Sequence, residues 1–180
     1  STVEQVSRSR QESALNASAH VDQLRPTAGN GLESTLFSVS SRSLMSQSPT
    51  IALVIGSFHK QACETMVNEA LATAAQIGLE VHEQVWVPGS MEKPLAVKRL
   101  LAREEIDGVV VLGIIERGET AHGRVMGQAV IQALIGLQLE LGKPIGVGIL
   151  GPEIEKEQIL TRLTPYARDA VRAVHAMLAS

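Results

Sequence analysis

Beyond Pro49 the chain alternates between two patterns of apolar residues. Ile51-Ala52-Leu53-Val54-Ile55 is an uninterrupted apolar run closed by Gly56-Ser57, the pattern of a parallel strand covered on both faces. Residues 60–77 instead carry Cys63, Met66, Val67, Ala70, Leu71 and Ala74. Their spacing gathers them on one stripe of a helix, which Gly78 ends. Leu79, Val81, Val85 and Val87 are interleaved with polar residues up to Pro88-Gly89, which predicts a half-buried strand. The rhythm continues with a helix over 92–104, a strand over Gly108–Leu112, a long helix over 122–141 and a strand over Pro144–Leu150. Helical segments near 153–163 and 166–178 close the chain. Strands alternating with helices in this way predict an α/β three-layer sandwich, one parallel sheet flanked by helices through right-handed crossovers. No internal repeat is evident.

Serine divides the chain in two. Residues 1–50 hold 12 serines, whereas residues 51–180 hold only Ser57, Ser90 and Ser180. The first part balances Glu4, Glu12, Asp22 and Glu33 against Arg8, Arg10, Arg25 and Arg42, and its apolar residues follow no sustained period. Such a segment buries too little surface to offset the entropy of ordering it. We therefore expect a Ser-rich flexible N-terminal extension over 1–49, largely irregular, and an α/β domain over 50–180. The extension reads as a tail or as a docking arm for a partner, with Leu36-Phe37-Ser38-Val39 as its apolar patch. Its Ser and Arg content also suits a targeting segment, against which its four acids count.

Composition then narrows the function. A net charge of −3 and an aromatic content of 2% offer neither a basic surface nor stacking platforms, so no nucleic-acid partner is expected. The single Cys63 excludes an intramolecular disulfide and a cysteine-built metal site. His20, His59, His82, His122 and His175 are dispersed without metal-ligand spacing, so no metal is expected either. No apolar run approaches the roughly 18 residues of a membrane span, which leads us to expect a cytoplasmic protein without a membrane partner. What remains is an aliphatic-cored domain that handles a small molecule.

Ligands of such sheets bind beyond the carboxyl ends of the strands. That singles out Ser57-Phe58-His59, the segment from Pro88 to Glu92, that from Gly113 to His122, and that from Gly148 to Pro152. Phe58 is either a core-filling side chain or the flat wall for a heteroaromatic ring. Gly118-Glu119-Thr120-Ala121-His122 opens the long helix. Thr120 stands where an N-cap is needed, and the free N–H groups beyond it suit an anion or phosphate. His122, in the first turn, is either a surface residue or a proton-transfer group that the helix end keeps neutral. Arg162 and Arg168 are the basic candidates beyond the fourth strand, though local sequence favours reading each as an ordinary exposed helix arginine. Without a Walker loop or a Gly-x-Ser-x-Gly elbow, and with the Gly-x-Gly-x-x-Gly stretch Gly146–Gly151 lying along the fourth expected strand rather than opening a helix after it, dinucleotide chemistry and serine hydrolysis lose support.

Four segments, taken in order, resemble the lumazine synthase family of riboflavin biosynthesis, and its archaeal branch most of all. They are Val87-Pro88-Gly89-Ser90-Met91-Glu92, Gly113 to His122 with its Gly118-Glu119-Thr120-x-His122 core, Gly142 to Leu150, and Glu157-Gln158 through Arg162. The resemblance runs from Thr50 to the C-terminus. It implies a four-stranded sheet of flavodoxin-like order and the condensation of 5-amino-6-ribitylamino-uracil with 3,4-dihydroxy-2-butanone 4-phosphate to 6,7-dimethyl-8-ribityllumazine, without a cofactor. By the same resemblance Phe58 stacks on the pyrimidine, while Ser90, Met91 and Glu92 hold the ribityl chain. Glu119 and Thr120 present the helix end to the phosphate, His122 transfers protons, and Arg162 grips the phosphate from a neighbouring subunit. Val147 stands at a position that helps wall the ring, and Arg168 at that of a basic residue near the C-terminus. The partners implied are small-molecule substrates and further copies of the chain, as pentamers and often as twelve pentamers in an icosahedral shell. The family pattern differs here at Met91 and Val147, usually aromatic, at Lys93 and Glu116, usually apolar, and at His59, often Asn. Two other readings share the fold: a non-catalytic cage or scaffold that binds through its N-terminal arm, and an archaeal-type riboflavin synthase.

Overall fold

The computed structural model describes residues 48–180. The expectations for residues 1–47, including the docking patch at Leu36–Val39 and the targeting segment, lie outside the described residues. The elements are β1 (Thr50–Gly56), α1 (Lys60–Ile77), β2 (Glu80–Val87), α2 (Lys93–Leu101) and β3 (Gly108–Glu116), then α3 (His122–Leu141), β4 (Ile145–Ile154), α4 (Lys156–Ile159) and α5 (Leu163–Leu178). The strands form one parallel sheet in the order β2-β1-β3-β4. This is the expected three-layer α/β arrangement in flavodoxin-like order, and it puts β1 and β3, the two most apolar strands, at the centre.

Because successive side chains of a strand point to opposite faces, the apolar runs feed two cores. Ile51, Leu53 and Ile55 of β1 join Val110 and Leu112 of β3 beneath α1 and α5, whose Met66, Ala70, Ala167 and Val171 are buried against them. Ala52 and Val54, with Val109 and Val111, face the other way and pack under Val97 and Leu101 of α2 and Val130 and Leu134 of α3. Each fully buried Leu, Ile or Val contributes roughly 1.5–3 kcal/mol, so uninterrupted apolar runs are what a doubly covered sheet requires. Gly78 and Gly142 end α1 and α3 in the left-handed conformation at φ 77° and 62°, which glycine adopts without strain.

Several boundaries differ from the sequence expectation. The third strand does not stop at Leu112 but runs to Glu116, and the fourth passes Leu150 to reach Ile154. Gly113–Glu116, read as loop, thus pair with the end of β4, Gly113 opposite Ile149, Ile114 opposite Leu150 and, after a shift in register, Glu116 opposite Ile154. Glycine interrupts the apolar pattern in both strands, and pattern alone cannot register a partner strand that is remote in sequence. The second helix ends at Leu101 rather than 104. Near 153–163 only the short α4 forms, opened by a capping box in which the Glu155 N–H donates to Gln158 Oε1 at 3.2 Å. The last helix begins at Leu163, before the expected 166.

Candidate functional site

Strand order reverses between β1 and β3: the chain leaves β1 toward β2 on one side and returns to β3 on the other. At such a switch point the crossover helices diverge to opposite faces of the sheet and leave a crevice beyond the strand ends. A cavity of about 380 Å³ lies there, within the usual range for small-ligand sites. Gly56, Phe58 and His59 line it from the end of β1, and Gly89, Ser90 and Lys93 from the connection after β2. Ile114, Ile115 and Glu116 come from β3, Gly118 and Thr120 from the loop that follows, and His122, Gly123 and Met126 from the start of α3.

Lys93 is the residue that local sequence least foretells. Glu92-Lys93-Pro94 reads as a charged helix start, which normally faces water, yet Lys93 is 1% exposed. Its Nζ donates to Ser90 Oγ at 2.9 Å. A Cβ built on Gly56 would lie 2.8 Å from that nitrogen, and one on Gly113 2.5 Å. Two glycines on neighbouring strands, Gly56 at the end of β1 and Gly113 within β3, therefore clear the space the amine occupies. Burial lowers the Lys93 pKa to about 8, with the nearby Cys63 and Glu92 pulling it partly back up. Burial likewise pushes the Cys63 thiol up, and Lys93 opposes that shift.

The rim is more open. Phe58 is 77% exposed, so it fills no core and presents its ring at the cavity mouth, edge-on to His59 with centroids 4.9 Å apart. His59 Nε2 is buried without a hydrogen-bond partner and lies 3.6 Å from Glu116 Oε2. The long helix is capped differently from the expectation: its N-cap is Ala121, not Thr120. Thr120 Oγ1 instead accepts a long contact of 3.4 Å from the His122 N–H. A threonine one residue outside the cap still reaches the first helical N–H, and the remaining early N–H groups stay available to an anion.

Four of the expected site residues, Phe58, Ser90, Thr120 and His122, meet in this one cavity. Met91, Glu92, Glu119, Val147, Arg162 and Arg168 are not part of its lining. Glu92 accepts the Gly89 N–H at 2.9 Å and so closes its own turn. Val147 is partly exposed on β4. Arg162 turns its guanidinium Nη1 onto the Gln158 carbonyl at 3.0 Å. Arg168 is held at 2.7 Å by Glu69 of α1, a bond between helices on the face opposite α2 and α3. Lys93, His59 and Glu116 also line the cavity; His59 and Glu116 fall within the strand-end segments marked from the sequence but were given no site role, and Lys93 falls one residue beyond such a segment. Each already stood out as a departure from the resembled pattern, and for Lys93 that was the one signal in the sequence that could have pointed to it.

Strand order, layering and the position of the cavity define an α/β protein that takes a small ligand at a sheet switch point. Residues 48–180 match the family model described as 6,7-dimethyl-8-ribityllumazine synthase, and the chain belongs to that family. It is similar to the 6,7-dimethyl-8-ribityllumazine synthase of Staphylothermus marinus, 38% identical over 128 residues that make up 71% of this chain and 85% of the relative. The protein of the same name from Methanopyrus kandleri is 39% identical over 71% of this chain and 90% of its own length. That from Metallosphaera sedula is 37% identical over 71% and 84%.

Proposed function

We propose that the cavity condenses 5-amino-6-ribitylamino-uracil with 3,4-dihydroxy-2-butanone 4-phosphate to 6,7-dimethyl-8-ribityllumazine, releasing phosphate and water, as a transferase of riboflavin biosynthesis. The meeting of Phe58, Ser90, Thr120 and His122 at the switch point of a chain from this family carries the reading. The Phe58 ring offers its face to the pyrimidine. Ser90, with Met91 and Glu92 beside it, holds the ribityl hydroxyls. The α3 N-terminus, with Glu119 and Thr120 before it, receives the phosphate through free N–H groups and the positive end of the helix dipole. His122 stands beside that anion, where an imidazole can move the protons that imine formation, phosphate loss and ring closure require. Each step is an addition, an elimination or a proton transfer, so the chemistry calls for no cofactor. Holding two reactants in register supplies much of the acceleration. Mixing the two substrates with the full chain should give the absorbance of the lumazine product; folded protein that gives none overturns the reading.

His122→Ala should fold normally and lower kcat by about 10–100-fold, at or below the usual range for a general acid–base group because proximity survives the change. Phosphate binding should persist, since the helix N–H groups remain. A loss of stability with unchanged kcat would instead make His122 a packing residue.

Arg162 lies outside the cavity of its own chain, and we assign it to the phosphate in the site of a neighbouring copy. Exposed apolar side chains on several helices, among them Val125, Leu139 and Met177, suit burial between subunits. The assembly proposed is a homo-pentamer, alone or as twelve in a shell, in the cytoplasm. Arg162→Ala should raise KM for the phosphorylated substrate roughly 10–100-fold, the cost of one charge-assisted contact, with little change for the uracil. Equal effects on both substrates, or sedimentation of the chain solely as a 19.2 kDa monomer, would overturn this assignment.

A further inference from the structure

We propose that the ε-amine of Lys93 bonds covalently to the ketone substrate as an imine and passes it to the amine of the uracil, a role that rests on the reading above. Lys93 is the one lysine among the buried polar and charged side chains of the described residues, the others being Thr73 and Ser90. None of the ion pairs of the described residues includes it, and the hydrogen bond its amine makes among them goes to the Ser90 hydroxyl. A lysine buried for structure alone is normally paired with a carboxylate. This one ends in the cavity wall, in space that Gly56 and Gly113 keep clear. Desolvation among strand ends also brings the amine's pKa to about 8, so a useful fraction is unprotonated near neutral pH. An apolar setting of this kind is how a lysine becomes a nucleophile toward carbonyl groups.

The step balances without a redox partner. The Nζ lone pair adds to the carbonyl carbon of 3,4-dihydroxy-2-butanone 4-phosphate, and the carbonyl oxygen takes up protons and leaves as water. The product is a protonated imine, a stronger electrophile than the ketone. The 5-amino group of the uracil then adds to the same carbon and Lys93 departs as the free amine. The substrates are left joined by the imine that direct condensation would have formed, and the lysine is regenerated.

The test is reductive trapping on the full chain at pH 8. Protein is incubated with 3,4-dihydroxy-2-butanone 4-phosphate alone, or with acetone as a minimal carbonyl, then reduced with sodium borohydride and mapped by peptide mass spectrometry. We expect one adduct per chain from the phosphorylated ketone, on Lys93, and faster labelling of Lys93 by acetone than of exposed lysines such as Lys60 and Lys98. No adduct on Lys93 with either carbonyl overturns the proposal, and if lumazine still forms in the parallel assay the proposed function survives that failure. Labelling of Lys93 by acetone in a protein that makes no lumazine supports the imine-forming site and overturns the substrate reading instead. Lys93→Met should fold, lose the adduct and make lumazine slower on the order of tenfold or more. Full activity in Lys93→Arg, which keeps the charge but cannot form the imine, would reduce Lys93 to an electrostatic positioning residue and overturn the covalent role.

Discussion

Lys93→Met is expected to raise the stability of the fold at pH 7 by about 3 kcal/mol, and the gain is expected to disappear as pH climbs from 8 to 10.5. In the folded protein the amine is buried and its pKa falls from 10.5 to about 8. Below pH 8 both folded and unfolded chains hold the proton, and the folded state bears the full cost of a buried ammonium. Between pH 8 and 10.5 the folded chain has released the proton while the unfolded chain still binds it. Stability of the parent therefore rises with pH across that window and levels off above it. Methionine has similar length and no charge, so the variant lacks this dependence. Cys63, whose pKa burial raises, acts in the opposite sense above pH 9 but is present in both proteins. Urea unfolding of parent and variant at pH 7 and pH 10 measures the difference, and a gain that is the same at both values would show that Lys93 is not desolvated as described. A side chain that costs stability where an apolar one would serve fits a functional role, since stability and activity commonly oppose each other at sites.

Gly146→Ala is expected to destabilise the fold by about 3 kcal/mol, at the upper end of overpacking penalties. Gly146 lies on β4 where α5 crosses it. An added Cβ would run into the backbone carbonyl of Ala170, well inside contact distance, and come within 2.9 Å of Val174 Cγ2. Backbone stands on both sides of the clash, so relief requires lifting α5 off the sheet and opening the core that Ala167, Ala170 and Val171 help to fill. Gly136→Ala is the control: it sits within α3 with nothing within 4 Å of a new Cβ, and the change should stabilise by about 0.5–1 kcal/mol. Thermal or urea unfolding separates the two. A Gly146→Ala protein as stable as its parent would contradict the close approach of α5 to β4.

Most of the fold was legible because it is written in short-range pattern. The runs Ile51–Ile55 and Gly108–Leu112 announce strands covered on both faces, and the stripe from Cys63 to Ala74 announces a helix with one buried side. Glycines at 78 and 142 end their helices by a property of their own backbones. Three of the four strand-end segments, recognisable from the alternation of strands and helices, contribute to the cavity, and Phe58, Ser90, Thr120 and His122 lie in it. The segment after the fourth strand does not: Gly148–Pro152 belongs to β4 itself.

Other features depend on which strand lies beside which. Gly113–Glu116 become strand because the end of β4 pairs with them, and no local signal encodes a partner some forty residues away along the chain. Arg168 has the chemistry of an anion-binding residue, but Glu69, ninety-nine residues earlier, takes up its guanidinium. Lys93 shows the limit most clearly. Its neighbours in sequence make it a surface charge at a helix start; Gly56 and Gly113, from the adjacent central strands, make it a buried amine at a ligand cavity. Secondary structure and core faces follow from periodicity, an interaction among residues a few positions apart, and the sequence by itself determined those. Burial, proton affinity and membership in the site depend on which remote atoms exclude water from a side chain, and only the tertiary structure decided them.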